Sequence, residues 1–175
     1  MIEADSVQFH RHAVEFSDDL SVWTKLYAVS QTMLSAIHEN KVFSAVGEIC
    51  SNLLGCEEVA IVDISRANGR VRFLAAEGIS SSTRKSVAES GRTLDSQIQP
   101  GSLRIVSDND DQRSAQLAHL GVSALVPLWS DEESSGAILL FKLLPQHSGF
   151  DTEDRRVLQF LSTRIGQCVR SRDDV

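Results

Sequence analysis

Residues 59–76 read Val-Ala-Ile-Val-Asp-Ile-Ser-Arg-Ala-Asn-Gly-Arg-Val-Arg-Phe-Leu-Ala-Ala. Two short runs rich in β-branched and apolar residues, Val59–Ile64 and Val71–Ala76, flank Arg66-Ala67-Asn68-Gly69. Asn-Gly between two such runs is the strongest short-range hairpin signal a sequence carries. A second hairpin is expected from Ala124–Trp129 and Gly136–Leu143, joined by the acidic turn Ser130–Ser135. Pro127 cannot donate to a ladder, so its strand is expected to lie at an edge or to bulge there.

Helical patterns surround this sheet. From Asp18-Asp19, Leu20, Trp23, Tyr27, Met33, Leu34 and Ile37 recur at steps of three and four. Leu20, Tyr27 and Leu34 fall seven apart, with Trp23, Ser30 and Ile37 between them: a short coiled-coil-like seam broken by a serine. Val42, Phe43, Val46, Ile49, Cys50, Leu53 and Leu54 form one face of a second helix ended by Gly55. The last helix is expected over residues 152–170, with Asp151 as N-cap, Asp154 completing a capping box, and Val157, Leu158, Leu161, Ile165, Cys168 and Val169 as its stripe. Between the hairpins, a helical turn at Val87–Ser90, a strand at Leu103–Val106 and a helix at Gln112–Leu120 closed by Gly121 are expected. Helices at both ends of a mainly antiparallel sheet make the chain α+β.

Composition bounds the function. The 175 residues are 42% apolar and carry 17 Lys+Arg against 24 Asp+Glu, a net charge of −7. Such a chain is globular and long enough for a real core. With a pI near 5.2 it lacks the cationic surface that general nucleic-acid or anionic-membrane binding requires. Neither a membrane span nor a signal segment is visible, and three cysteines make no disulfide framework, so a cytoplasmic setting is expected. No nucleophile elbow, Walker loop, dinucleotide fingerprint or zinc-protease motif occurs, and the expectation is that the chain is not an enzyme.

Four stretches carry a family resemblance. They are Val42–Ile64 with Leu53-Leu54-Gly55-Cys56; Val87-Ala88-Glu89-Ser90-Gly91-Arg92-Thr93-Leu94; Gly121–Phe141 with Val126-Pro127-Leu128; and Gly149-Phe150-Asp151-Thr152-Glu153-Asp154 leading to Leu158 and Leu161. In this order and spacing the chain resembles the GAF domain, a small-molecule-sensing and dimerising fold of signalling proteins. The resemblance implies a sheet of five or six strands, N- and C-terminal helices on one face, and a loop- or helix-covered pocket on the other. The resemblance covers about residues 38–170, and with the residue pattern before it the chain is expected to divide into an arm (1–17), a leading helix (18–39) and a GAF-like domain (40–172). The chain departs from the family at Ser82–Ser86, where glycines are usual, and at residues 95–102, which are extra; both lie where the resemblance places the pocket.

Ligand-binding candidates under residues 79–121 are Asp63, Phe73, Arg104, His119 and Ser123. Asp63 has a simpler reading, a cross-strand pair with Arg72. Arg84, Lys85, Arg92, Arg104 and Arg113 would favour an anion, but Glu77, Glu89, Asp95, Asp108, Asp110 and Asp111 nearly cancel them. No cofactor is assigned. His10-Arg11-His12 needs partners from elsewhere to hold a metal, His119 has no motif that secures haem, and no cysteine lies in the pocket segment to take a bilin. Asn40–Glu48 superficially matches a cyclic-nucleotide signature, but Val42, Phe43 and Val46 are needed as core.

The resulting expectation is a bacterial regulatory domain that binds a small molecule and signals through its terminal helices to a partner protein. The alternative is a pocket-filled dimerisation or docking module. A parallel homodimer is expected through Leu20, Trp23, Tyr27, Leu34 and Ile37, with Val157, Phe160 and Ile165 flanking the stripe of the last helix. Leu53, Ile61, Val62, Leu139, Leu158 and Leu161 are expected between the sheet and the terminal helices.

Overall fold

The computed structural model describes residues 20–36, 41–108 and 110–173, with side chains through residue 166. The expected arm, the Asp18-Asp19 cap, Ile37, His10, His12, His38 and the side chains of Cys168 and Val169 lie outside the described residues.

The first helix, α1, spans 20–36, and α2 spans Val42–Asn52. Gly55 adopts φ +62 and lets the chain leave α2, while the Cys56 amide bonds back to the Cys50 carbonyl. Strands β1 (Val59–Ser65) and β2 (Val71–Glu77) follow as the expected hairpin. Its connection runs over residues 66–70 rather than a two-residue turn: Gly69 takes φ +71, and Asn68 Oδ1 accepts the Arg70 amide at 2.8 Å.

Next come α3 (Ser81–Glu89), α4 (Gly91–Asp95) and β3 (Arg104–Ile105). A 3-10 turn at Val106–Asp108 leads to α5 (Gln112–His119). Ser80 caps α3 through the Thr83 amide, and Asp111 caps α5 through the Ser114 amide. The second hairpin pairs β4 (Ala124–Ser130) with β5 (Ser134–Leu140). Last is α6, Thr152–Asp173, opened by the reciprocal box in which Asp151 Oδ1 accepts the Asp154 amide and Asp154 Oδ2 the Asp151 amide.

Among the described residues the sheet has five antiparallel strands in the order β2-β1-β5-β4-β3. The register of β4 with β5 shifts between Pro127 and Trp129, leaving Leu128 as the extra residue, and β3 covers only Ala124 and Leu125 of the outer side of β4. Pro127 is therefore accommodated both by a bulge and by a nearly bare edge.

Each sheet face has its own core. One packs against α1, α2 and α6 through Val29, Met33, Val46, Ile49, Ile61, Ile138, Leu158 and Leu161. The other packs under α3, α4 and α5 through Val62, Val87, Leu94, Leu117, Leu125, Leu139 and Phe141. Val62 and Leu139 thus correct the expectation that they meet the terminal helices; Ile61 does, and Leu53 is only half-buried against that core. Strands buried on both faces are apolar throughout, and alternation then gives no sign of which side each residue takes. On α6, Val157 and Ile165 are fully buried in the domain's own core, so of the expected flanking stripe only Phe160 is partly exposed.

Candidate functional site

The candidate residues do not converge. Along β1, Val59 and Ile61 face the terminal helices, and alternation places Asp63 on that same side, away from residues 79–121. There it accepts from Arg72 Nη2 at 2.8 Å, directly across the hairpin. Asp63 is a hairpin ion pair and not a wall of the pocket.

Phe73 does lie on the second face, with the Arg84 guanidinium 5.0 Å from its ring centroid. Arg104 stands four strands away, about 19 Å at ordinary strand spacing. Its guanidinium is committed to Asp111 Oδ2 at 3.0 Å. The Ser114 amide and hydroxyl, with that guanidinium, hold the Asp111 carboxyl below the usual carboxylate range, so Arg104 braces the cap of α5.

His119 is exposed at the end of α5. Leu117, two residues earlier, points into the core, and a two-residue step on a helix turns the side chain to the opposite side. Ser123 lines a cleft of about 400 Å³ with Val106, Ser107, Gly121, Val122 and Phe150, but its hydroxyl donates to the Phe141 carbonyl.

What occupies the face under residues 79–121 is mostly hydrocarbon: Leu94, Ile98, Leu117, Leu125, Leu139 and Phe141 are all buried there. Two polar groups interrupt it, and the sequence pattern pointed to neither. Gln97 is buried in the stretch 95–102 and donates from Nε2 to Gln116 Oε1 at 3.1 Å. Its own Oε1 is buried without a hydrogen-bond partner among the described residues, and the buried Ser114 hydroxyl lies beside the Asp111 carboxylate. At the rim, Asp95 accepts from the buried Ser135 hydroxyl at 2.6 Å and lies 3.5 Å from Arg66 Nε, pinning the end of α4 to the sheet.

Cys50 and Cys56 are free thiols in the core beneath the terminal helices. Burial drives both upward, Cys56 to about 12, so neither is a thiolate nucleophile at neutral pH. Among the described residues no group of three or more His, Cys, Asp or Glu side chains is placed to hold a metal ion. No helix among them is long and apolar enough to cross a membrane.

The outer surface of α1 is different. Val22, Val29, Met33 and Ala36 turn inward, whereas Leu20 (62% exposed), Trp23 (69%), Tyr27 (68%) and Leu34 (53%) form a stripe open to solvent. An open groove runs beside it, between α1 and α6, floored by Val22, Leu26 and Phe160.

The GAF domain family model matches residues 38–169, most of the chain and all five strands. This chain belongs to the GAF domain family. Its fold is similar to the GAF domain of a candidate sensor histidine kinase from Pseudomonas syringae pv. tomato, with TM-score 0.58 and 14% identity, covering 90% of this chain and 93% of that one. The LBD domain of VqsR from Pseudomonas aeruginosa superposes with TM-score 0.57 at 11% identity, covering 85% and 96%. A GAF domain/HD domain protein from Geobacter sulfurreducens does so with TM-score 0.54 at 12% identity, covering 84% and 99%. Among curated proteins, no sequence matches the chain. At such identities the GAF neighbours establish the shared fold.

Proposed function

We propose that this GAF domain is a cytoplasmic regulatory module of a signalling protein that acts as a homodimer, with α1 as its dimer helix. The observation that carries the reading is the division of α1 into two stripes, one buried in its own domain and one of Leu20, Trp23, Tyr27 and Leu34 left in water. Withdrawing a large apolar side chain from water contributes roughly 1.5–3 kcal/mol. A two-fold pairing withdraws both copies of the stripe, enough to meet the lower part of an association cost of roughly 4–15 kcal/mol. The neighbour from a candidate sensor histidine kinase supports a signalling setting.

Sedimentation equilibrium tests this: the wild type is expected to be a dimer, and Trp23→Glu/Tyr27→Glu a folded monomer. A wild type that stays monomeric at high concentration would overturn it.

A second reading, small-molecule sensing, is favoured by one specific observation, the unpartnered Gln97 Oε1 in an otherwise apolar layer. A buried polar group without a partner costs about 1–3 kcal/mol, which a ligand offering a donor to Gln97 would remove. Binding there would shift the domain only by favouring one of two arrangements of residues 79–121. Native mass spectrometry of freshly purified protein decides between the readings. A retained small molecule supports sensing, and an apo dimer supports the pocket-filled module.

A further inference from the structure

Among the described residues strand β2 ends the sheet, with β1 on one side and no strand on the other. The Ser65 amide bonds to the Arg70 carbonyl at 3.0 Å, so Arg70 turns its carbonyl toward β1. In an antiparallel ladder the residues alternate, so Arg72 also faces β1 while Val71 and Phe73 turn their N–H and C=O outward. Among the described residues, no backbone bond from another segment reaches those outward groups. The ladder shifts register between Ile61 and Val62, which leaves Leu74 as an extra residue and breaks the edge beyond Phe73. The regular free edge is thus short, Arg70 to Phe73.

Its surroundings are cationic. Arg84 lies over Phe73, the stem of Arg92 lies against Gly69, and Arg70 continues from that glycine. Arg70, Arg84 and Arg92 are exposed, and among the described residues none of them is in an ion pair. Nearby acids are taken: Asp63 by Arg72, and Glu89 by Lys85 at 3.9 Å. A second copy pairing through β2 would set these arginines against their own counterparts, and like charges facing across strands destabilise the pair. The edge therefore rejects itself while inviting an anionic strand.

We propose that the free edge of β2 docks a short, extended, acidic segment of a partner protein by strand addition. Main-chain bonds to Val71 and Phe73 would supply the pairing, and Arg70, Arg84 and Arg92 the selection for acidic side chains. This surface is separate from α1, so it stands or falls independently of the dimer.

The test uses the intact protein and three capped synthetic peptides: alternating Thr and Glu, alternating Thr and Lys, and the Thr-Glu peptide N-methylated at every amide, so that neither of its edges can donate. Backbone NMR should show the Thr-Glu peptide shifting residues 70–73 and slowing hydrogen exchange at Val71 and Phe73 by about tenfold or more, with no such effect from the other two. Arg84→Glu/Arg92→Glu should abolish the response with an unchanged thermal melt; Arg70→Glu, in the hairpin loop, replaces it should the double variant not fold. No change at residues 70–73 with millimolar Thr-Glu peptide would overturn the proposal. An equal effect of the N-methylated peptide would reduce it to charge adhesion and equally overturn it, as would equal binding of the lysine peptide. Val71 and Phe73 amides already protected in the free protein would show the edge covered, and would overturn it as well.

Discussion

Lys25 Nζ stands 3.9 Å from the buried carboxylate of Asp154, and so ties the middle of α1 to the first turn of α6. The same ammonium lies 2.8 Å from Glu153, which raises its pKa, and Ser21 donates to Glu153 from one turn earlier. Asp154 is also half of the capping box, so one side chain serves both the start of α6 and the seat of α1.

That position has a pH signature. Burial holds Asp154 above the ordinary carboxylate range and Asp151 adds to it, against the opposing pull of the Asp151 amide, Lys25 and His147. A carboxyl raised in the folded state binds more protons there than in the unfolded chain, so its contribution is present at low pH and lost as pH rises through the folded value. Asp154→Asn keeps the cap acceptor and removes the titration. The stability of wild type relative to this variant should therefore fall as pH rises above the ordinary carboxylate range. Denaturant melts across pH check this, and a relative stability that grows with pH would contradict it.

Leu158 is fully buried between α6 and the sheet. Leu158→Ala should cost about 2–5 kcal/mol in a urea melt. A loss within error would mean that α6 is not docked as described.

Trp129 covers Gly136 across the β4–β5 ladder so closely that an added Cβ would overlap the indole, whose Nε1 donates to Ser134 Oγ at 3.3 Å. Gly136→Ala should destabilise by about 1–3 kcal/mol and shift the tryptophan emission as the ring is displaced. An unaltered spectrum with unaltered stability would show the ring free to move away.

Cys50 and Cys56 should resist alkylation in the native protein and react once it is unfolded. Both thiols fall on one tryptic peptide, residues 42–66, so fragment-ion mass spectrometry after brief iodoacetamide treatment assigns the label to each. Labelling of Cys56 under native conditions would show that the Gly55 turn opens readily.

Much of the frame was legible because local chemistry repeats it. Asn68-Gly69 announced the first hairpin, Pro127 the irregular strand, and Asp151 with Asp154 the start of α6. The faces of β1 and β5 were not legible, since Ala60 through Val62 and Ala137 through Leu140 are buried on both sides. The short α4 was missed because it has too few residues to show a period. Asp63 was placed on the wrong face, yet its pairing with Arg72 was readable from the hairpin register. Gln97 and Ser114 gave no signal at all: a buried glutamine in a loop and a buried serine on a helix have the composition of solvent-exposed ones.

The bulge at Leu128 has a mechanical consequence. Disturbing the ladder there leaves two successive carbonyls turned toward α6: Ser162 donates to that of Pro127, and Gly166 lets the helix backbone lie directly on that of Leu128. Helix and strand are thus riveted at two adjacent points, whereas among the described residues α1 is held by its apolar inner stripe, the Lys25 ion pairs and, at its end, the Lys41 amide on the Ala36 carbonyl. A twist applied to α6 should therefore be delivered to β4 as if the two were one stiff beam.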